Sequence, residues 1–258
     1  MKILIANDDG IDSPGISALA DAVKDLGQVV VVAPNRERST SGHSLTLHKP
    51  LRIAELGPGR YATSGTPADC IYIGMREILK AKPDLILSGI NCGANLGTDI
   101  HYSGTVAAAR EGALMNIKSY AFSLVDIPKQ EANLGRRPLD YAMGARFARD
   151  IVLKTMGMEF PSHTLLNVNI PNTDHHKILG VRVARQGFRY YANEVSKRQD
   201  PRGRDYYWIG GGYLGFEKLG NTDCDAVDAG YVAIVPITIE NTHNAFYATL
   251  SSQFETFG

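Results

Sequence analysis

Three short runs of unbroken apolar residues constrain this chain most: Lys2 to Ala6 (KILIA), Val29 to Ala33 (VVVVA) and Leu85 to Ser88 (LILS). A strand that alternates apolar and polar residues has one wet face. A strand apolar on both faces must be covered on both, as in parallel sheets sandwiched between helices. Each run stops at a cluster of polar residues and glycine: Asn7, Asp8, Asp9 and Gly10 after the first, Asn35 to Ser44 (NRERSTSGHS) after the second, and Gly89 to Gly97 (GINCGANLG) after the third. In open parallel sheets ligands bind just beyond the carboxyl ends of the strands. If the three strands are neighbours, the three clusters meet in one crevice.

Helical periodicity fills the gaps between the runs. Ile16 to Leu26 places Ile16, Leu19, Ala20, Val23 and Leu26 on one face. Thr66 to Leu79 opens with Thr66 as N-cap and Pro67 at the first helical position, a pairing that satisfies orphan amides and presets φ. Thr105 to Met115 is capped by Ser103 or Gly104, and Leu139 to Met156 forms a further helix. Tyr120 to Leu124, Leu165 to Ile170 and Tyr231 to Thr238 read as strands, the last at an edge or near its end because it carries Pro236. Between about Gly180 and Gly220 the aromatic, glycine and charged residues lack helical spacing and suggest projecting β-hairpins. The expected architecture is α/β: a Rossmann-like three-layer core with a mainly parallel sheet over residues 1–180. A C-terminal hairpin region, 181–258, would follow, with one strand (about 231–238) returning to the core.

With 258 residues, 44% of them hydrophobic, the chain can bury a sizeable core. Twenty-seven basic residues balance twenty-seven acidic ones, so no net field favours duplex nucleic acid, whose binding is largely a phosphate-charge effect. Cys70, Cys92 and Cys224 are widely separated and show no zinc or disulfide spacing, which suits a reducing cytoplasm. The opening apolar run is too short for a signal peptide and no later stretch could span a bilayer, so neither secretion nor a membrane is expected. No Walker lysine loop appears and no G-x-G-x-x-G follows a strand.

Adjacent carboxylates in a cleft repel, and partial desolvation raises the cost unless a cation neutralises them. Asp8 and Asp9 can reach one ion only if the strand has already turned, which Gly10 would ease. The expected partners are the Ser39 hydroxyl and the side-chain carbonyl of Asn91. An oxygen-only set suits one divalent ion, Mg²⁺ or Mn²⁺, rather than zinc. Each residue has a plainer reading beside this one: the Asp pair as a solvated turn, Ser39 as a turn residue, Asn91 as a loop residue bonding its own backbone. Ser103, Gly104 and Thr105, ahead of an Ala-rich helix, offer free amides and a positive dipole end to a phosphate, or simply an N-cap. Gly42, with His43 and Ser44, either contacts phosphate or shapes its loop. His43 is given no catalytic role.

The blocks NDDGIDSPGI (7–16), APNRERSTSGHSLT (33–46), GTPADC (65–70), SGINCGANLGTDIHYSGTVAAAREG (88–112), DPRG (200–203) and AVDAGYVAIVPI (226–237) together resemble the SurE survival protein and 5'-nucleotidase family. The resemblance implies a divalent metal at Asp8, Asp9, Ser39 and Asn91. It also implies hydrolysis of 5'- and 3'-nucleoside monophosphates, sometimes short polyphosphate, and homodimers or homotetramers that exchange C-terminal elements. Asn95 and the Ser103 to Thr105 amides would then stabilise the phosphoryl oxygens, with Asp8 or Asp9 taking a proton from water. A haloacid-dehalogenase-type phosphatase would need a second Asp where Gly10 stands. A rival from another class is a non-catalytic, metal-dependent nucleotide sensor or oligomeric scaffold.

Overall fold

The computed structural model describes residues 1–126 and 138–254. The first apolar run is β1 (Lys2–Ala6), followed by α1 (Pro14–Val23) and β2 (Gln28–Pro34). β3 (Ile53–Gly57) and β4 (Arg60–Thr63) come next, then α2 (Pro67–Ile73), which continues into a π-type turn over Gly74–Leu79. β5 (Leu85–Cys92), α3 (Gly104–Leu114), β6 (Lys118–Val125), α4 (Tyr141–Thr155), β7 (Thr164–Pro171) and β8 (Val181–Val183) follow. β9 (Arg189–Tyr191), β10 (Glu194–Gln199), β11 (Asp205–Gly210) and β12 (Tyr213–Phe216) precede α5 (Asp223–Asp228), β13 (Val232–Thr238) and α6 (Asn244–Phe254).

Nine strands form one sheet in the order β3-β4-β2-β1-β5-β6-β7-β13-β8. β1 pairs in parallel with β2 on one side and β5 on the other, with Ala6 opposite Ser88. The chain therefore moves outward from β1 to β2, then crosses back to start β5 on the far side of β1. The gap beyond the ends of β1 and β5 is the topological switch point, where doubly wound sheets open a crevice. Helices cover both faces: α1 and α4 bury Ile16, Leu19, Val23, Met143 and Ile151 against one side. On the other side α2 contributes Cys70 and Ile71, and α3 contributes Val106, Ala109 and Ala113. The mainly parallel, three-layer expectation holds.

Local chemistry sets the element ends. Thr66 accepts from the Asp69 amide at 3.1 Å and Asp69 Oδ2 accepts from the Thr66 amide at 2.8 Å, a reciprocal cap worth about 1 kcal/mol. α1 stops at Val23, short of the Leu26 that periodicity suggests. β5 runs past the LILS segment to Cys92, with Asn91 opposite Ser123 of β6, because the ladder resumes after an irregularity at Gly89 and Ile90. The first part of the Gly89 to Gly97 cluster, Gly89 to Cys92, is thus strand. Pro236 sits opposite Leu166 of β7, beyond the Val232–Ile234 stretch that β8 covers, so it is tolerated near a strand end.

The late chain is divided in its allegiance. β8 and β13 join the main sheet, and α5 packs Cys224, Ala226 and Val227 against Leu96, Val125 and Ala233. β9 with β12, and β10 with β11, form separate antiparallel hairpin pairs, as the aromatic and glycine pattern suggests. Among the described residues no helix is long and apolar enough to cross a membrane.

Candidate active site

Asn7, fully buried, builds the turn after β1: its Nδ2 donates to Gly10 O (2.9 Å) and Ser13 Oγ (2.7 Å), and its Oδ1 accepts from the Gly10 amide (3.3 Å). Gly10 adopts φ +101°, and a Cβ there would lie 3.2 Å from Arg36 C, so the turn and the loop after β2 can touch only through glycine. The turn separates the fates of the two acids. Asp8 points inward, 5% exposed, and its Oδ1 accepts from Thr105 Oγ1 at 2.5 Å. Gly104 lies so close that a Cβ would stand 2.7 Å from Asp8 Cβ. Asp9 faces a cleft of about 470 Å³ that Ser39, Glu37, Arg36, Cys92 and Tyr141 also line, and its Oδ2 accepts from the Cys92 amide at 3.1 Å.

Burial pushes the Asp8 carboxyl above its ordinary range, against the pull of the Thr105 hydroxyl and the Thr105 and Gly104 amides. Asp9 is pushed up to about 6, first by burial, then by the charge of Asp8, with the Cys92 amide opposing. Neither aspartate makes an ion pair among the described residues. Two desolvated carboxylates side by side repel, a cost that a cation between them would relieve. No three His, Cys, Asp or Glu side chains cluster as a metal site among the described residues, so any such ion would draw on the neutral oxygens nearby.

Two neutral oxygens stand on segments that reach the pair. Asn91 precedes Cys92, whose amide bonds Asp9, near the end of β5; its Nδ2 donates to Gly93 O at 3.0 Å. Ser39 is exposed on the cleft wall and donates to Glu37 Oε1 at 2.5 Å, so its hydroxyl must turn from Glu37 to serve a cation. Its loop is fastened on several sides. The Arg38 amide donates to Asp8 O (2.7 Å), Gly42 N–H to Tyr102 O (3.2 Å), and His43 Nε2 lies 2.9 Å from the buried Glu111 carboxylate. His43 is thereby a loop anchor, in keeping with its lack of an assigned role.

The phosphate-facing group divides. Ser103 is the N-cap of α3, accepting from Val106 N at 3.0 Å, while Gly104 and Thr105 direct their amides toward Asp8. The Gly42 amide faces Tyr102 instead of the cleft, because it docks the loop. Asn95 is buried, with Nδ2 on Ser123 Oγ (2.7 Å), its amide on Asn169 Oδ1 (2.9 Å), and its carbonyl held by Asn167 and Asn169. The sequence gives no local signal for the Thr105 hydroxyl as a partner of Asp8, or for Tyr141 on the cleft wall. Both join the site only through tertiary packing, and Tyr141 lies well beyond the nearest motif block, which ends at Gly112. The Asn7 role was accessible, since Asn two or three residues before glycine commonly bonds its own turn.

A family model described as survival protein SurE matches residues 3–193. Over 252 residues the chain is 47% identical to a protein of Geobacter metallireducens described as 5'-nucleotidase SurE, covering 98% of this chain and 97% of the relative. A Vibrio cholerae protein of the same description is 43% identical over 243 residues, 94% of this chain and 93% of its own. The crystal structure of a SurE protein from Aquifex aeolicus superposes with a TM-score of 0.84 at 43% identity, covering all of both chains.

Proposed function

This chain belongs to the SurE survival-protein family, and from that membership and the chemistry of its cleft we propose that it is a 5'-nucleotidase, a phosphoric monoester hydrolase. It splits nucleoside monophosphates into nucleoside and phosphate. The observation that carries the reading is the pair of desolvated, unpaired carboxylates at the switch point between β1 and β5, next to the amino terminus of α3.

Asp8, Asp9, Ser39 and Asn91 would hold one divalent ion, Mg²⁺ or Mn²⁺, which when bound polarises a phosphoryl oxygen and lowers the pKa of a water. The rest is the work of the chain. Asp8 is fixed by the Thr105 hydroxyl and sits against Gly104, so its carboxylate cannot swing away. Asp9 opens on the cleft and is the carboxylate placed to accept a proton from the attacking water. The positive end of α3 at Ser103, Gly104 and Thr105, beside Asp8, would offset charge developing on the equatorial oxygens, and the second Nδ2 hydrogen of Asn95 would serve the same group. Water attacks phosphorus, the ester oxygen leaves as the nucleoside hydroxyl with a proton, and no covalent intermediate is needed. 3'-Nucleotides and short polyphosphate present the same terminal phosphoryl group.

Copies of the chain assemble through the late segments. Trp208 (63% exposed), Ile209 (92%) and the α6 residues Phe246 and Tyr247 leave apolar surface that a second copy can cover. The functional test is phosphate release from AMP and GMP with Mn²⁺. Release abolished by chelator and restored by metal supports the reading; nucleotide bound stoichiometrically but unchanged overturns it in favour of a sensor.

A further inference from the structure

The chain between buried Leu96 and the capping residue Ser103 is a 3-10 turn, Gly97–His101, followed by Tyr102. Strand β9 grips this turn from outside. Arg189 Nη1 pairs with Asp99 Oδ2, and the Tyr191 hydroxyl donates to the same oxygen at 2.8 Å. The Arg189 amide donates to Thr98 Oγ1 at 3.3 Å, and its guanidinium lies 4.2 Å from the centroid of the Tyr213 ring on β12. One residue past the turn, Tyr102 O accepts the Gly42 amide that docks the loop carrying Ser39. A displacement of Asp99 would therefore be felt at the start of α3, where Thr105 holds Asp8, and at the Ser39 loop on the cleft wall.

The Arg189 and Asp99 side chains are 14% and 21% exposed. An ion pair so enclosed is a poor source of net stability, since desolvation offsets most of the attraction, and apolar residues would hold the hairpin as well. What the guanidinium supplies is geometry: a planar group bonded to Asp99 at Nη1 and set against the Tyr213 ring, so that its orientation is limited. We propose that Arg189 is a positioning residue for phosphoryl hydrolysis, acting through Asp99 to fix the turn that sets Ser103 to Thr105 against Asp8. The role rests on the nucleotidase reading above, and it ties the hairpin to the rate of the chemistry.

The test is steady-state AMP hydrolysis with Mn²⁺ by the wild-type chain, Arg189→Met, Arg189→Lys, Asp99→Asn and the double variant, each checked for folding by thermal melting. Misplacing the start of α3 by a fraction of an ångström lowers kcat of Arg189→Met and Asp99→Asn by roughly 10- to 100-fold, with KM within about threefold of wild type. Arg189→Lys recovers part of the loss, and the double variant is no worse than either single one because the two side chains act as a unit. A folded Arg189→Met with kcat within about twofold of wild type, or losses that multiply in the double variant, overturns the role. If Arg189→Met does not fold, Asp99→Asn and Arg189→Lys are judged by the same criteria. A wild-type chain that releases no phosphate sinks the nucleotidase reading and this role together; an active wild type with unaffected variants sinks this role alone.

Discussion

The turn after β1 and the hairpin of β10 and β11 are both made from short strands, yet they stand at opposite extremes of confinement. In β1 every residue after Lys2 is buried and both edges are paired, so the acids that follow start from a backbone with nowhere to move. In β10 and β11 every residue is exposed, and the two strands pair only with each other. A two-stranded ribbon with no covered face is marginal by itself. The contrast is one of support: the crevice is held by the sheet, whereas the β10 and β11 ribbon is held by its own pairing. The separate β9 and β12 pair reaches inward, where Arg189 and Tyr191 bond Asp99.

Four measurements on three substitutions would sharpen or break that contrast. Asp9→Asn keeps the fold but removes half of the anionic charge of the site, several kcal/mol of charge stabilisation, so kcat for AMP falls by roughly 10³-fold or more. A variant that retains wild-type turnover would show that the confined acids are not the chemical centre. Gly104→Ala follows, with a loss of roughly 10²-fold in kcat, because its Cβ would stand 2.7 Å from Asp8 Cβ and push the carboxylate or the helix away. Alanine is the better helix former by roughly 1 kcal/mol, so a gain in helicity beside a loss of rate separates site geometry from fold stability.

The third effect is on stability in chelator. Asp9 has its folded pKa raised from 3.8 to about 6, so between those values the folded state holds a proton that the unfolded state has lost. Its contribution to stability is therefore present below about pH 4 and is lost as pH rises toward 6 and beyond. Because Asp9 is only half-buried, the discounted magnitude is roughly 1–2 kcal/mol. Melting of metal-free wild type and Asp9→Asn at pH 4.5 and pH 7 should show the variant gaining relative stability at the higher pH. The opposite sign would mean that the carboxylate is already compensated. The smallest effect is at the hairpin: Ile209→Asp changes the stability of the single chain by less than roughly 0.5 kcal/mol, since the residue is 92% exposed, yet shifts sedimentation toward smaller species. An unchanged assembly would remove this hairpin from the interface.

How far the sequence could be read follows the same divide. Continuous apolar strands and caps are decided by neighbours within a few residues, so β1, β2, the core of β5 and the starts of α2 and α3 were legible. The three strand-end clusters fell together because the strands are parallel neighbours, a consequence of topology that the apolar runs already imply. The edge strand β3 and its neighbour β4 gave no signal: β3 is almost wholly exposed and carries no alternation, and β4 is only four residues long. Helix α5 was hidden for a different reason: it is a six-residue helix whose stability comes from a capping box at Thr222 and packing on Leu96 and Val125. Within the site, Asp8, Asp9 and Asn91 could be read as strand-end polar residues. The engagement of the Gly42 amide by Tyr102, and of Asn95 by Ser123, could not, because those bonds depend on which loops touch.

In the proposed reading one divalent cation sits between the two carboxylates that follow β1 and neutral oxygens of the neighbouring segments. Calorimetric titration of the chelator-stripped protein with Mn²⁺ tests it most directly. The account predicts one ion per chain for the wild type, weaker binding by Ser39→Ala and Asn91→Ala, and no detectable binding by Asp9→Asn. Binding by Asp9→Asn with wild-type affinity and stoichiometry would contradict it.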